Sequence, residues 1–514
     1  MSDAFSRYVK FWLQYLEAHR ADWRTIQEEF EQITRAWTLL AGNTDLSIDS
    51  KTRDYLILRY VNLLQDYLEY RGRWSEGYIP WLEIALDAAR RTGSLKSQFS
   101  LINNLGAGYT DLGNFEKAET YLQEALKISQ DSGDIDSQMS VANNLGALYF
   151  QNGRRREALQ QIEAAYSGAM DQNTTKAAHI LNNLGMTFQS LGILDKALEC
   201  YDKALQIHQS NQDDSGVSAS LNNYGILLAE TGDWHKACMY LEQALALRRK
   251  IGDRSREAVT LASLGRVNTR LGKFREAIEY LEKALFIQQE IGDLPSAADS
   301  LQSLGNIYRQ LNQFDIGEKY LNESIHIHRQ AGNKAGEAEA LNNLGLIYRA
   351  KEQNETALQY YQQSLTLHRS VGDKNGEASA LNNIGIVNRI KGEYDQALEI
   401  YKKVLEIRRA LKDVSGEATT LNNMGRVFRL TNQTDLAMDY YKQSHDLLKQ
   451  VGDKVNEAAV LSNIAMLHIE AERWDEAEHV LLEALKIDTQ YELPTLDEDS
   501  RALAWVRRRA KGEQ

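Results

Sequence analysis

Two kinds of side chain able to bind a ligand recur along this chain at steps of about forty residues. The first is a pair of neighbouring asparagines, whose amide groups both donate and accept hydrogen bonds. The pair occurs seven times, at residues 103/104, 143/144, 182/183, 222/223, 342/343, 382/383 and 422/423. The second is an arginine at one equivalent position in four consecutive copies: Arg309, Arg349, Arg389 and Arg429. Guanidinium groups form paired hydrogen bonds with carboxylates and phosphates, so these arginines indicate a site for acidic groups.

Both sets belong to an internal repeat that is marked by a glycine. The marking residues are Gly106, Gly146, Gly185, Gly225, Gly265, Gly305, Gly345, Gly385 and Gly425, then Ala465. Every step is forty residues except one of thirty-nine. Self-similarity at a fixed period of this length predicts a solenoid, in which each unit packs only against its neighbours.

Each repeat is predicted to form two antiparallel helices, A and B. Helix A has its apolar stripe at positions −4, −1 and +3 relative to the glycine, and helix B carries a small residue at +12. Two small residues at a helix crossing let the axes approach, so this spacing predicts close packing of A on B. A Gly-Asp pair closes most units and is expected to end helix B and cap the next helix A. The chain has only three prolines and no convincing period-two alternation, which predicts an all-α protein.

The repeat divides the sequence into three predicted parts. Residues 1–95 form two irregular N-terminal hairpins, 96–490 form ten tandem units, and 491–514 form a C-terminal capping helix. In the second hairpin, Pro80 falls inside the predicted second helix. We expect a kink there, because proline removes a backbone donor and clashes with the preceding turn.

Charge and cysteine content narrow the function classes. The net charge of −13 argues against a general nucleic-acid binder. Residues 301–450 carry 19 basic and 18 acidic side chains, and they are the only block of this chain that is not negative. The sequence shows no secretory signal and no membrane-spanning run, and Cys200 and Cys238 make no disulfide framework, so we expect a cytoplasmic protein.

The repeat resembles the tetratricopeptide repeat, in a forty-residue form similar to Pins-type and kinesin-light-chain arrays. The resemblance rests on the motif L-x3-G-x2-Y, then G-x4-A, then A-L, over residues 97–490. It implies a right-handed superhelix of about twelve antiparallel hairpins whose A helices line a concave groove. The turn glycine of the motif is replaced in four units, by Asn312, Glu352, Asn432 and Glu472.

The N-terminal hairpins carry a second resemblance. The stretches YLEAHRADWRTIQEEFEQITRAWTLL and YLEYRGRWSEGYIPWLEIALDAARRTG are similar to the start of the helical sensor half of bacterial NB-ARC or STAND signalling ATPases. No G-x-x-x-x-G-K-[ST] motif occurs, so we expect this chain to lack the nucleotide-binding module.

The asparagine pairs need a compensating role, because asparagine inside a helix costs up to about 0.7 kcal/mol relative to alanine. The resemblance implies an amide ladder that binds the backbone of an extended peptide, at Asn343, Asn383 and Asn423. A secondary groove uses Asn104, Asn144, Asn183 and Asn223. The alternative is that one asparagine of each pair bonds to the neighbouring repeat and fixes its register. Helical geometry predicts that position −2 faces outward more fully than −3. The ladder lapses at residues 262/263 and 302/303, which predicts a groove in two segments.

The arginines at position +4 also have two interpretations. With Arg426 one turn away from Arg429, they form a row suited to an acidic or phosphorylated partner segment. Alternatively, arginine in the last helical turn complements the helix dipole, by about 0.3–1 kcal/mol, and pairs with a neighbouring glutamate. The first five units have no arginine at this position, which favours a binding role.

No constellation of residues indicates catalysis. The histidines, among them His208, His328 and His368, show no metal-ligand spacing, so we expect no metal, no cofactor and no enzyme activity. The predicted function is a protein-interaction scaffold or adaptor that binds an extended, acidic partner segment. The alternative is a stand-alone sensor that gates a separate ATPase, protease or transcription regulator. Membranes and nucleic acids are not expected partners.

Overall fold

Helices make up nearly all of the chain. The computed structural model describes residues 2–19, 23–42, 48–70, 78–169, 174–491, 493 and 495–511. These residues contain no strand, which confirms the predicted all-α class. The first five helices are α1 (Ser2–His19), α2 (Trp23–Glu28), α3 (Phe30–Gly42), α4 (Ser50–Tyr70) and α5 (Ile79–Thr92).

Ten pairs of helices follow, each with helix A first and helix B second. In order they are α6 (Leu95–Asp111) and α7 (Phe115–Ser132), α8 (Ile135–Gln151) and α9 (Arg155–Ala169), α10 (Thr175–Ser190) and α11 (Leu194–Ser210), α12 (Asp214–Glu230) and α13 (Trp234–Ile251), α14 (Arg254–Arg270) and α15 (Phe274–Ile291), α16 (Leu294–Gln310) and α17 (Phe314–Gln330), α18 (Lys334–Ala350) and α19 (Asn354–Ser370), α20 (Lys374–Ile390) and α21 (Tyr394–Leu411), α22 (Val414–Leu430) and α23 (Thr434–Val451), α24 (Lys454–Glu470) and α25 (Trp474–Tyr491). Helix α26 (Leu496–Ala510) comes last.

The chain divides into two compact units, Met1–Ser300 (unit 1) and Leu301–Gln514 (unit 2). In unit 1, helices that follow each other pack together, and A helices also contact the next A helix, as α8 contacts α10 and α10 contacts α12. Unit 2 is built in the same way, with α18 on α20 and α20 on α22. Each unit is therefore an α-solenoid. The division at residues 95/96 and 490/491 stays a prediction.

The glycine of helix A makes room for one side chain of helix B. A β-carbon added to Gly345 would lie 2.4 Å from Cε1 of Tyr361, and one added to Gly385 would lie 2.6 Å from Cε1 of Tyr401. The clashing residue stands sixteen positions after the glycine, a position we call +16. The small residue at +12 is fully buried beside it, as at Ala357. The close packing of A on B thus depends on this fit.

The predicted ends of the helices are confirmed. Gly372, which follows the last turn of helix α19, has a left-handed φ of 74°. The Asp373 side chain then accepts the backbone N–H of Gly376 at 3.0 Å and caps α20. The four residues that replace the turn glycine keep the same left-handed backbone, with φ between 53° and 61°: Asn312, Glu352, Asn432 and Glu472.

The predicted kink at Pro80 stays a prediction, because Tyr78 just before it already has helical backbone angles and residues 71–77 lie outside the described residues. Helix α5 begins at Ile79, so Pro80 lies in its first turn. The first turn of a helix has no intrahelical acceptor for the backbone N–H, so proline costs nothing there and its fixed φ favours helix initiation.

Replacing Glu352 by glycine is expected to stabilise unit 2. A left-handed backbone costs a residue with a β-carbon about 1 kcal/mol or more, and glycine removes that cost. Denaturant unfolding should show a gain of about 1 kcal/mol for Glu352→Gly. Asn312→Gly is the matched control and should gain less, since asparagine tolerates this conformation. An equal or larger gain at Asn312 would contradict the explanation.

Two buried carboxyl groups join α26 to the rest of unit 2. Asp488 on α25 is fully buried and Asp499 on α26 is 5% exposed. Asp488 Oδ1 accepts from Thr495 at 2.9 Å, and Asp499 Oδ2 accepts from Ser462 of α24 at 2.7 Å. Burial, with Asp488 close by, raises the pKa of Asp499 to about 6.

Unit 2 is therefore expected to lose stability as the pH rises from about 4 to about 6. A carboxyl group whose pKa is raised in the folded state stays protonated there after the unfolded chain has released its proton, so folding weakens across this window. The loss should be on the order of 1–3 kcal/mol. Asp499→Asn should abolish it, whereas Asp497→Asn, in the exposed first turn of α26, should not. Denaturant unfolding between pH 4 and 7, with hydrogen exchange of α26, measures both.

Candidate functional site

The four arginines at position +4 and Arg426 lie on the A helices of unit 2. We call this set the arginine row: Arg309 (α16), Arg349 (α18), Arg389 (α20), and Arg426 and Arg429 (both α22). Each side chain is half-buried, because position +4 flanks the apolar stripe that packs on helix B. The Nε atoms of four of the five, all but Arg349, are buried and have no hydrogen-bond partner among the described residues. Each of these buried N–H groups lacks an acceptor among those residues, which costs free energy of folding.

Like charges stand next to each other along the row. Burial lowers the pKa of Arg309, and the neighbouring Arg349 lowers it further. Burial also lowers the pKa of Arg426, with further lowering by Arg389 and Arg429. These three guanidinium groups on α20 and α22 thus lie near one another. Their mutual repulsion favours any anion that binds between them.

Acidic partners are scarce along the row. Arg429 Nη1 lies 2.5 Å from Glu470 Oε1. Within the described ranges, the other four arginines form no ion pair with an acidic side chain. Among the described residues, the glutamate pairing of the second interpretation therefore occurs at Arg429 alone. Its helix-dipole part applies to Arg309, Arg349, Arg389 and Arg429, which all lie in the last turn of their A helices.

Arginines at the ends of the B helices are paired, in contrast. In unit 2, the Nε of Arg329, Arg369 and Arg409 lies 2.6, 2.7 and 2.7 Å from Glu337, Glu377 and Glu417, at the start of the next helix A. These pairs join one unit to the next. The row differs from them because, among the described residues, only Arg429 has an acidic partner.

Three tyrosines of the B helices, which sequence analysis missed, face the row. Tyr361, Tyr401 and Tyr441 occupy the +16 position and are fully buried. Burial raises the pKa of Tyr361 and Tyr401 to about 12, against an opposing effect of arginines that includes Arg349 on both and Arg389 on Tyr401. The signal was present in the sequence: position +16 is leucine or isoleucine except at Tyr201 and in the three units that combine tyrosine with an arginine at +4.

The asparagines form a ladder between neighbouring units. In unit 2 the −2 amide donates to the −3 amide of the preceding helix A: Asn383 to Asn342, Asn423 to Asn382 and Asn463 to Asn422, each at 2.9 Å. In unit 1, Asn144 donates to Asn103 at 3.0 Å and Asn183 to Asn143 at 2.8 Å. The bonds fix the register of adjacent A helices, and each uses one of the two N–H groups of its donor.

The expected difference in exposure between −2 and −3 holds at two pairs of unit 1, 182/183 and 222/223, and is reversed at two pairs of unit 2, 342/343 and 422/423. At −2, Asn343 and Asn423 are 8% and 6% exposed; at −3, Asn182 and Asn222 are 5% and 4% exposed. The remaining members of the seven pairs are half-buried. The reason is that consecutive A helices touch, so −2 of one helix faces −3 of the preceding one. The ladder also does not lapse at 302/303, because Asn343 donates to Gln302 at 3.3 Å.

The secondary groove coincides with a cavity in unit 1. The cavity has a volume of about 720 Å³, and its lining includes Asn144, Asn183 and Asn223 but not Asn104. Helix α4 also contacts α14 within unit 1. Cationic side chains line it as well, namely Lys176, Arg248 and Arg256.

Family models of the tetratricopeptide repeat match most of the chain. One model covers residues 97–171, 216–290, 292–370 and 376–450, and two others cover 178–211 and 458–487. Curated protein sequences include no match to this chain. In the described part of the chain, no helix is long and apolar enough to cross a membrane.

Solved structures with a similar fold include tetratricopeptide repeat proteins. A Rap protein complexed with competence and sporulation factor is 12% identical over 77% of this chain and 98% of its own, with a TM-score of 0.53. A STAND protein with a tetratricopeptide repeat sensor from Pyrococcus horikoshii is 17% identical over 71% of this chain, with a TM-score of 0.52. The match spans 54% of that STAND protein, about half its length. A putative kinesin light chain from Podosopora anserina is 21% identical over 38% of this chain and 97% of its own, with a TM-score of 0.33.

Removing one rung of the asparagine ladder is expected to destabilise unit 2. In Asn383→Ala, Asn342 Oδ1 loses its donor at a half-buried position, which costs about 1 kcal/mol. Denaturant unfolding measures the loss. Asn375→Ala is the control, since Asn375 lies in the first turn of the same helix, outside the ladder. A loss in Asn383→Ala no larger than in the control would show that the rung does not stabilise the stack.

Proposed function

Because this chain belongs to the tetratricopeptide repeat family, we propose that it is a non-enzymatic interaction module that binds an extended acidic or phosphorylated segment of a partner along the arginine row. The observation that carries the proposal is the uncompensated charge of the row. Five half-buried guanidinium groups have one acidic partner among the described residues, Glu470. A partner with carboxylates or phosphates would supply the missing acceptors.

The spacing of the row defines the segment that fits it. Arg309, Arg349, Arg389 and Arg429 occupy the same position on four consecutive A helices. Packed helices lie about 8–10 Å apart, and an extended chain advances about 3.3 Å per residue. An acidic side chain at every third residue would therefore meet one arginine after another. The guanidinium groups of Arg389, Arg426 and Arg429 favour a phosphate at that end of the row, since a phosphate offers more acceptor oxygens than a carboxylate.

The asparagines would contribute through their second amide proton. Asn343, Asn383 and Asn423 each spend one N–H on the ladder and keep one for a partner backbone. Their burial limits how many of them a partner reaches. The arginines are therefore the principal binding residues in this proposal.

The compartment we propose is the cytoplasm. Cys200 and Cys238 are free thiols, as expected for a protein that works in a reducing environment.

Replacing four arginines of the row by glutamine tests the proposal. The probe is a twelve-residue peptide with glutamate at every third position, made with and without phosphoserine at one end. The quadruple variant at 309, 349, 389 and 429 should bind about 1,000-fold more weakly, since each of four charge-assisted bonds contributes on the order of 1 kcal/mol. Its salt dependence should be flatter, because fewer ion pairs form. Fluorescence anisotropy at several salt concentrations measures both.

Two controls sharpen this test. A triple variant, Arg329, Arg369 and Arg409 to glutamine, removes cations that are already paired, and it should bind the peptide like the unmodified chain. A peptide of equal charge with glutamates at consecutive positions should bind less tightly. Unchanged affinity and salt dependence in the quadruple variant would refute the site.

A stand-alone sensor is the second candidate function. The cavity of about 720 Å³ in unit 1 favours it, because it offers a ligand surface separate from the arginine row. A sensor should bring down a signalling ATPase, protease or transcription regulator from native lysate, and the quadruple arginine variant should still capture it. Recovery that depends on the arginine row would instead favour the scaffold.

A further inference from the structure

We propose that His179, which lines the cavity of unit 1, and the buried His208, with Asp213 behind it, form a site for a divalent transition metal ion at the wall of that cavity. One ligand atom from each of the three residues lies within 4.8 Å of the others. Imidazole ligands suit Zn²⁺, Ni²⁺ and Cu²⁺. The site is separate from the arginine row and does not depend on the function proposed for it.

His208 is already oriented for metal binding. Its ring is fully buried at the end of α11, and Nδ1 lies 2.8 Å from Asp213 Oδ2. A β-carbon on Gly216 would lie 1.9 Å from Nδ1, so the glycine is what admits the ring here. When Nδ1–H donates to the carboxylate, Nε2 presents its lone pair. That Nε2 is buried and has no partner among the described residues.

Asp213 holds this geometry from the other side. Its Oδ1 accepts the backbone N–H of Gly216 at 3.0 Å and caps α12, which leaves Oδ2 for His208. Histidines that bind metals usually donate their second ring N–H to a carboxylate or a carbonyl in this way. The pair is thus a ligand and the group that orients it.

His179 supplies the second imidazole, and its exposed ring can change orientation. It lies on α10 and is exposed, with its ring centre 4.8 Å from that of His208 and a 60° angle between the planes. A metal ion bonds imidazole nitrogens at about 2.0–2.1 Å. An exposed ring can make the small rotation that brings its nitrogen to the ion, and water in the cavity can fill the remaining positions.

The other repeats provide an internal comparison. His208 stands at position +23 of its unit and His179 at position −6. In unit 2, His368 occupies +23 and its Nδ1 also lies 2.8 Å from an aspartate, Asp373, but its −6 residue is Glu339. A carboxylate opposite an imidazole favours an ion pair, whereas a second imidazole offers another lone pair. Sequence spacing did not reveal the site, because twenty-nine residues separate the two histidines.

Neighbouring cations limit the affinity of the site. Arg248, Lys176 and Arg256 line the same cavity. They are engaged: Arg248 donates to the carbonyl of Arg256 at 2.6 Å, Arg256 to Asp253 at 3.1 Å, and Lys176 to the carbonyl of Asp136. Their charge nevertheless opposes a dication. We expect weaker binding than at a four-ligand structural zinc site, and an anion such as chloride bound with the metal.

Titration of the tag-free full chain with Zn²⁺, after removal of metals by a chelator, tests the site. Isothermal calorimetry should show one saturable site per chain, and Co²⁺ should give a visible spectrum that Zn²⁺ abolishes. His179→Ser, which copies Ser140 of the preceding unit, should lower the affinity at least tenfold. Asp213→Asn retains a good helix cap but loses the carboxylate, and it should lower the affinity about 10–100-fold.

The matched control is His368→Gln in unit 2, which removes a histidine that lies beside an aspartate without a second imidazole and should leave Zn²⁺ binding unchanged. Circular dichroism melts without metal should show that His179→Ser, an exposed substitution, folds like the unmodified chain. The absence of saturable binding, or equal binding by His179→Ser, would overturn the proposal. The quadruple arginine variant should bind Zn²⁺ like the unmodified chain, so each of the two proposals can be refuted without the other.

Discussion

The fit between the helix A glycine and the side chain at +16 is the constraint on which each unit depends. At Gly345 and Gly385 even a methyl group would overlap the tyrosine ring from helix B. The axes can be this close only because helix A contributes no side chain at that point. The close crossing leaves positions −2 and −3 of adjacent A helices facing each other, so the asparagine ladder follows from it. It also fixes where position +4 stands, half-buried at the edge of the crossing.

Position +16 also connects the core to the candidate site. Most units place leucine or isoleucine there, but three consecutive units of unit 2 place tyrosine, and the same three carry arginine at +4. The buried ring supports the helix crossing, while its hydroxyl faces the guanidinium groups. Position +16 thus places a hydroxyl group beside the arginines and still packs in the core of its unit. Tyr201 does the same in unit 1, where its hydroxyl donates to Gln189 at 2.8 Å.

Arginines at the ends of the B helices are paired with glutamates, whereas most arginines of the row, for which we propose a binding role, are not. At the B-helix ends each guanidinium has a glutamate within hydrogen-bond distance, and such exposed pairs contribute little to stability. Along the row the charges repel one another and bury donor atoms without acceptors. Arginine in the last turn of an A helix gains about 0.3–1 kcal/mol from the helix dipole, which offsets part of these penalties. In the proposed function, an anion bound along the row would remove both of them.

The sequence by itself determined the helices, their pairing and the fold class, because glycine, alanine and leucine at a fixed period leave only one way to bury the apolar faces. It also identified the arginine row, since a charge that recurs at one structural position is visible without coordinates. Three features needed the tertiary structure. The asparagine ladder joins residues forty-one positions apart, such as Asn383 and Asn342, and only the contact between A helices decides which amide faces which. At Pro80, local propensity does not fix whether the helix begins there or continues through it, and Tyr78 just before it already has helical backbone angles. His179, His208 and Asp213 come together only when two helices and a loop pack against each other. Their positions in the sequence show no spacing typical of a metal site.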